Sequence, residues 1–342
     1  LQDLITKLFE AAGSPESEAA LLARLLVAAN QAGHDSHGVV RVIQYLTLLR
    51  EGSIIPGQEP EVLRDGGTTL VLSGRRGYGQ VSCWRAAELA IDRARRHRLA
   101  VVALRDCTHN GRLADYAQLV ARHGCIGLVF TNNAGFAKEV APFGGLIGRL
   151  GTAPIAVAFP VTEGSSIGFD MSTSVIATGK LRSLLQLGQP APQGALRDKA
   201  GHLSTNPADL FAGGALQPLG GAQGYKGYLL NVMVELLTGV LSGGGFSGRG
   251  ASQAGTCTMI LALDVSAFRP LPEFQADLRR LVDYLKATPP LSGQIVLAPG
   301  ESSAQTKTRR CQVGIPLPSD TVSGIDAALE RLGIPDRIAH LG

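Results

Sequence analysis

The chain has few of the features that staple a protein together or anchor it in a membrane. Its five cysteines, Cys83, Cys107, Cys125, Cys257 and Cys311, are odd in number, widely spaced and form no C-x-x-C pair. Neither a disulfide framework nor a thiolate zinc site is indicated, and a reducing cytoplasm is the expected location. Charge is sparse: 18% of residues are charged, the net charge is +4, and the basic residues do not gather into a stripe. Nucleic acid is therefore not an expected partner, although a slight positive excess suits an anionic small molecule. The longest apolar stretch, residues 228–241, is broken by Asn231, Glu235 and Thr238. It falls short of the roughly 20 residues that cross a bilayer, so no membrane segment is expected. No basic run followed by an apolar run marks a targeting peptide. Internal repeats and low-complexity tracts are also absent.

A hydrophobic content of 45% over 342 residues is enough for two or three domains, or for one large core with insertions. Leu4, Leu8 and Ala11 recur at helical spacing, and Ser14-Pro15 opens a second helix over 16–31. A third, over 40–50, puts Arg41 and Tyr45 on one face and ends at Gly52. From residue 60 strands and helices alternate. Strands are expected at 69–72, 99–104, 127–131, 155–159 and 256–264. Helices are expected at 81–98, with Trp84, Ala87, Ile91 and Ala94 inward, at 111–123 and at 225–241. This is a mixed α/β protein. Residues 179–223, rich in Gly, Pro, Gln and Ser, suggest surface loops or a lid.

The densest chemistry lies between the second and third helices, in Gly33-His34-Asp35-Ser36-His37-Gly38. Carbonyl reduction needs a proton donor beside the developing alkoxide, and a histidine oriented by a neighbouring serine or aspartate suits that task. The bland alternative is a helix junction, with Gly33 closing one helix, Asp35 or Ser36 capping the next, and two surface histidines. His34 and His37 lack a clear third ligand for a metal, so none is expected. Arg41, one turn beyond His37, can grip a carboxylate at two points while the adjacent carbonyl meets the imidazole, a geometry that describes a 2-oxo acid. Alone it could equally be a surface arginine. The segment Asp106 to Arg112 follows a buried strand and opens a helix, so its amides can receive a pyrophosphate or simply form a capped turn with His109 packed inside. Lys226 opens an apolar helix, where a cation opposes the dipole unless an anion sits there or its amine lies in solvent. The string Gly243 to Gly248 has the letters G-x-G-x-x-G, but it follows a helix and precedes none. A dinucleotide would therefore be held without the usual Rossmann fingerprint.

Taken together, the strings resemble the malate/L-lactate dehydrogenase family of non-Rossmann oxidoreductases, most of all its hydroxycarboxylate dehydrogenase branch. The resemblance runs almost end to end. It rests on Ala29-Asn30 through Gly38 with Arg41 and Tyr45, on Tyr78-Gly79-Gln80, on residues 108–116 and on Ala141-Pro142-Phe143-Gly144-Gly145. It continues through Gly151-Thr152-Ala153-Pro154, residues 169–174, Gly179-Lys180, Thr205-Asn206-Pro207, Tyr225-Lys226-Gly227-Tyr228 and Pro299-Gly300-Glu301. Two positions depart from it. Ala153 stands where the family commonly has asparagine, which would reshape the substrate pocket, and Ser172 stands where it commonly has alanine.

The resemblance implies His37 as proton donor, Ser36 as its orienting partner and His109 as the competing acid/base. It implies Arg41 and Thr152 on the substrate, and cofactor contacts at Gly111, Arg112, Leu113, Asp170, Met171, Ser172, Tyr225, Lys226, Glu301 and Ser302. It implies a nicotinamide cofactor, NAD or NADP with NADH slightly favoured, and a homodimer. The implied fold is a non-Rossmann α/β fold with a largely antiparallel sheet. Residues 1–60 would form a helical region, joined by about 310–342, beside an α/β region over 61–309. Two rivals stand beside a 2-oxo acid reductase: a reductase of a cyclic imine acid such as Δ1-piperideine-2-carboxylate, and a metabolite-binding protein without turnover.

Overall fold

Seven strands build one sheet, and the helices on its two faces set the position of everything else. The computed structural model describes residues 1–161, 167–249 and 255–338. The last positions of the expected C-terminal segment, 339–342, lie outside the described residues. Three helical segments lead the chain: α1 (Gln2–Ala11), α2 (Glu16–Gln31) and α3 (Val42–Arg50), with two short 3₁₀ turns, Asp35–His37 and Val39–Arg41, between the last two. There follow β1 (Glu61–Asp65), β2 (Thr69–Ser73), α4 (Gly79–His97), β3 (Leu99–Cys107), α5 (Ala114–Arg122), β4 (Cys125–Asn132), β5 (Ile155–Phe159) and β6 (Ile167–Met171). An insertion carries α6 (Thr178–Gln186), β7 (Leu196–Arg197), β8 (Leu203–Ser204), α7 (Ala208–Phe211) and β9 (Ala215–Leu216). The chain ends with α8 (Tyr225–Glu235), β10 (Thr256–Asp264), α9 (Leu271–Lys286), α10 (Glu301–Val313) and α11 (Ser319–Arg331).

The large sheet has the order β1-β2-β3-β10-β4-β5-β6. Only β2 and β3 run parallel; every other pair is antiparallel. Its central strands are near-continuous apolar runs because both faces are covered. Ile260 of β10 pairs with Val102 on one side and Val129 on the other. On one face α4 and α5 pack through Ala86, Ala87, Ala90, Ala94 and Ala117, whose small side chains let the helices approach closely, with Tyr116 filling the space beside them. On the other, Val234 of α8 meets Phe130, Ile155 and Met259. A separate core joins α1, α2 and α3 to Ile325, Ala328 and Leu329 of α11.

Several elements differ from the sequence pattern. Residues 179–223 are a folded unit, not loops or a lid: Leu181, Ala195, Leu196, Leu210 and Leu216 form a core of their own with Val140 and Leu150. The turns there are polar and glycine-rich, and the apolar residues are too scattered to show one period. Helix α5 begins at Ala114, not Gly111, because Gly111 takes φ +68° in the preceding turn. Trp84 only half enters the core, and its exposed ring face carries the Arg24 guanidinium 4.4 Å from the centroid. The long helix from Tyr225 becomes a π turn at Leu236–Val240. There Gly239 lies so close to the Gly245 carbonyl that a Cβ would sit 2.1 Å from its oxygen. The glycine string 243–248 thus serves tight packing. Asn132 also donates to the Gly245 carbonyl at 3.1 Å.

Candidate active site

The junction after α2 is where the site is built. Gly33, at φ +85°, reverses the chain after α2, and Asp35–His37 forms one 3₁₀ turn whose residues are all only partly buried. Asn30, in the last turn of α2, ties this segment down. Its side-chain carbonyl accepts the Val39 amide at 2.8 Å, and its amide donates to Asp35 at 2.7 Å. Gly38 makes the approach possible, since a Cβ there would lie 2.1 Å from the Asn30 Oδ1.

The two candidate acids meet across this turn. The His37 and His109 rings stack with centroids 5.4 Å apart and planes inclined by 23°. Ser36 Oγ lies 3.1 Å from His37 Nδ1, and Tyr45 Oη lies 2.6 Å from His109 Nδ1. Gln80 donates to the same phenol oxygen at 2.6 Å. With that contact accepted, the phenol proton is directed to His109 Nδ1, which places the ring's own proton on Nε2. Both imidazoles therefore have Nδ1 engaged. Arg41 folds back to donate from Nε to the Ser36 carbonyl at 2.7 Å. The expected helical face shared by Arg41 and Tyr45 is thus modified, because Arg41 caps α3 and Tyr45 points into the core.

Burial and neighbouring positive charge disfavour the protonated form of these histidines. Burial, then the repulsion of Arg41, His34 and Arg112, pulls His37 down to about 3. Burial and Arg112 pull His34 to about 4, against the opposing pull of Asp35. His109 is lowered well below the usual histidine value by burial, Arg41 and His37. Burial raises the Tyr45 phenol to about 12, so it remains a donor at neutral pH. A concentration of positive charge around neutral imidazoles is ready for an anion.

On the His34 side of this turn opens a cleft of about 1120 Å³, lined among others by His34, Arg112, Asp170, Gly300, Glu301 and Ser302; His37, His109 and Arg41 are not part of its lining. This exceeds the roughly 300–1,000 Å³ of ordinary small-molecule sites and leaves room for a dinucleotide. Its residues fit one. Arg24, Arg122 and Lys307 give the lining a positive cast, Nε of Arg112 is buried without a partner, and the N-terminal end of α10 lies at the cleft, where the helix dipole favours an anion.

The residues named from sequence divide here. Asp170 reaches the cleft, but its carboxylate accepts the Ala114 amide at 3.0 Å and so caps α5; burial pushes it up to about 6. Arg112 pairs with Asp115 at 2.8 Å. Leu113 is 2% exposed, so its side chain belongs to the core. Glu301 lies at the cleft, yet it accepts from the Ala298 amide at 2.8 Å and from Lys286 at 2.7 Å, which closes its own loop. Ser302 is exposed at the cleft lip. Met171, Ser172, Thr152, Tyr225 and Lys226 do not line this cleft. They form a neighbouring group: the Thr152 carbonyl accepts from Thr173, and the Leu219 amide donates to the Thr173 carbonyl beneath the start of α8. Tyr225 packs edge-on against Phe143. Ser172 donates to the Ser174 carbonyl at 3.0 Å. Ala153 is fully buried at φ +37°, a left-handed conformation that asparagine adopts more readily than alanine.

Three parts of the site were not visible in the sequence. Arg310 of α10 grips Asp35 with a two-point fork. Gly179 presses on the histidine turn, since a Cβ there would lie 2.7 Å from Ser36 Cβ. The Gln80–Tyr45–His109 chain spans three separate elements. Glycines at special positions hint at such contacts, but a partner 275 residues away leaves no local signal.

Stacked histidines with an arginine in the same turn, near a dinucleotide-sized cleft on a mostly antiparallel sheet, describe a hydroxy acid dehydrogenase outside the Rossmann class. The chain belongs to the malate/L-lactate dehydrogenase family, whose profile spans residues 1–326. It is 33% identical over 340 residues to a malate dehydrogenase of Pyrococcus abyssi, covering 97% of this chain and 92% of that protein. To hydroxycarboxylate dehydrogenase B of Escherichia coli K12 it is 33% identical over 343 residues, covering 98% and 94%. The solved malate dehydrogenase of Pyrococcus horikoshii superposes with a TM-score of 0.89 at 32% identity, covering 99% of this chain and 95% of that one. Dehydrogenases of this family use nicotinamide cofactors.

Proposed function

We propose that the chain interconverts a small 2-oxo acid and its 2-hydroxy acid, with His37 as the proton donor in reduction and Arg41 as the carboxylate clamp. The observation that carries this reading is the shared turn: Arg41 is bonded to the Ser36 carbonyl, so the clamp and the acid are held at a set spacing. When a carboxylate docks on Arg41, it offsets the charge that keeps His37 deprotonated. His37 takes up a proton as the anion binds and passes it from Nε2 to the substrate oxygen. His109, with its proton held on Nε2 by Tyr45, hydrogen-bonds the same oxygen. The bound nicotinamide supplies the hydride to the substrate carbon in reduction. Arg112, Asp170 and the first turn of α10 hold that cofactor, with Gly111 shaping the turn and Thr152 at the substrate end.

Within this reading, residues 1–60 with the segment from about 310 form the helical unit that carries the acid, and residues 61–309 carry the cleft. NADH is the preferred cofactor. A homodimer suits the apolar side chains left exposed at Phe143, Leu229, Leu236 and Leu241. A reducing cytoplasm suits the five free cysteines, and no described helix is long and apolar enough to cross a membrane. The test follows oxidation of NADH and NADPH with phenylpyruvate, 2-oxoglutarate, pyruvate and Δ1-piperideine-2-carboxylate. Turnover of at least one oxo acid, faster than of the cyclic imine, is the expected outcome. Cofactor binding without turnover of any oxo acid overturns it.

A further inference from the structure

We infer that Arg310, acting through Asp35, is a positioning residue that sets the orientation and the charge state of His37; the inference rests on the reading of His37 as the proton donor. The 3₁₀ turn that carries His37 contributes no fully buried side chain to any core, so its shape depends on polar contacts. Arg310 supplies the strongest of them. Its guanidinium, with a side chain only 11% exposed, bonds Asp35 Oδ1 at 2.6 Å and Oδ2 at 3.0 Å. The same nitrogen that reaches Oδ1 also donates to the Asn30 carbonyl. Asn30 in turn holds both Asp35 and the Val39 amide. One arginine thus joins the end of α2, the catalytic turn and α10. A lysine could not reproduce its planar, two-point fit.

The pair also governs which charges His37 meets. Arg41, His34 and Arg112 oppose its protonation, and burial disfavours a charge on the stacked His109 ring. Asp35 is the carboxylate of the same turn and draws the neighbouring His34 toward its charged form, and Arg310 answers its charge. With Asp35 neutralised, the substrate carboxylate remains the anion that charges His37. Loss of Arg310 would leave Asp35 uncompensated and would favour the protonated imidazole before substrate arrives. The placement of α10 adds a link, because its first turn lines the cofactor cleft about 13 Å from Arg310 along the helix axis.

The test compares wild type, Arg310→Gln, Arg310→Lys, Asp35→Asn and the Asp35→Asn/Arg310→Gln double variant in the full chain, each scaled to its folded fraction by circular dichroism. Energy transfer from Trp84 to NADH reads cofactor binding separately. For Arg310→Gln we expect kcat for oxo-acid reduction to fall tenfold or more, the NADH Kd to stay within threefold, and the alkaline limb of the kcat/KM profile, where a proton donor is lost, to move upward. Arg310→Lys recovers the alkaline limb but not the full kcat. In the double variant the limb returns toward wild type, because the uncompensated carboxylate is gone. Arg310→Gln with kcat within twofold of wild type, or with an unmoved alkaline limb, overturns the inference. Absence of 2-oxo acid turnover in the wild type would instead overturn the reading on which it rests.

Discussion

Replacing Tyr45 with phenylalanine removes one oxygen from the centre of the site and nothing from its shape. The ring is fully buried and packs beside Tyr78 at 6.2 Å, so its apolar contacts survive. Two polar partners are lost: the Gln80 amide and His109 Nδ1, each 2.6 Å from the phenol oxygen. An orphaned buried polar group costs about 1–3 kcal/mol, so with two partners orphaned the variant should lose about 2–6 kcal/mol of stability if no water replaces the hydroxyl. The catalytic effect is separate. Without the phenol proton on Nδ1, His109 divides between tautomers and turns in its pocket, and one neutral hydrogen bond in the reacting complex is lost. A loss of about 1 kcal/mol of transition-state stabilisation corresponds to a fall of roughly fivefold in kcat/KM. Steady-state reduction of a 2-oxo acid, with chemical denaturation in parallel, reads both numbers. The His109 nitrogen shifts in a labelled sample read the tautomer. The reasoning fails if Tyr45→Phe keeps kcat/KM within 1.5-fold of wild type and His109 still carries its proton on Nε2.

Other consequences can be checked alongside it. Arg41→Lys should raise KM for the oxo acid about tenfold or more, through loss of a two-point contact, while leaving the NADH Kd unchanged; an unchanged KM would remove Arg41 from the substrate. Gly179→Ala should cut kcat without altering cofactor binding, because its Cβ would lie 2.7 Å from Ser36 Cβ and push the catalytic turn; full activity would mean the turn yields freely. Asp170→Ala removes the acceptor for the Ala114 amide and should cost about 1 kcal/mol in denaturant unfolding. For pH, the sign follows from His37 and His34, held in the fold to about 3 and about 4 against an ordinary value of 6.5. The unfolded chain binds their protons first, so they make the fold progressively less stable as pH drops from about 6.5 toward 4. Thermal melting across that range, compared with His37→Gln, should show a shallower decline in the variant.

The helical start, the buried strands at 99–104, 127–131 and 256–264, and the helix after residue 79 were legible because their apolar residues keep one period over a long run. The insertion at 179–223 was not, since its core is assembled from single residues such as Leu196 and Leu216 on two-residue strands. For the candidate site, the string from Gly33 to Gly38 located the histidine turn because a compact turn packs its chemistry into adjacent positions. The partners that orient it come from α3, α4 and α10, and no local pattern connects Tyr45 to His109 or Asp35 to Arg310. Glu301 and Asp170 show the converse. Both reach the cleft as anticipated, yet their carboxylates bond backbone amides, a role that only the three-dimensional arrangement reveals.

The most direct test of the central claim is His37→Ala, assayed for oxo-acid-dependent oxidation of NADH or NADPH beside a binding titration through Trp84, the single tryptophan of the chain and a residue of the cleft wall. The account predicts that the variant binds cofactor within about threefold of wild type and loses about 10²–10⁴-fold in kcat, the usual contribution of a positioned acid. Turnover retained within tenfold, with His109→Ala inactive, would contradict it and give the proton to the other histidine.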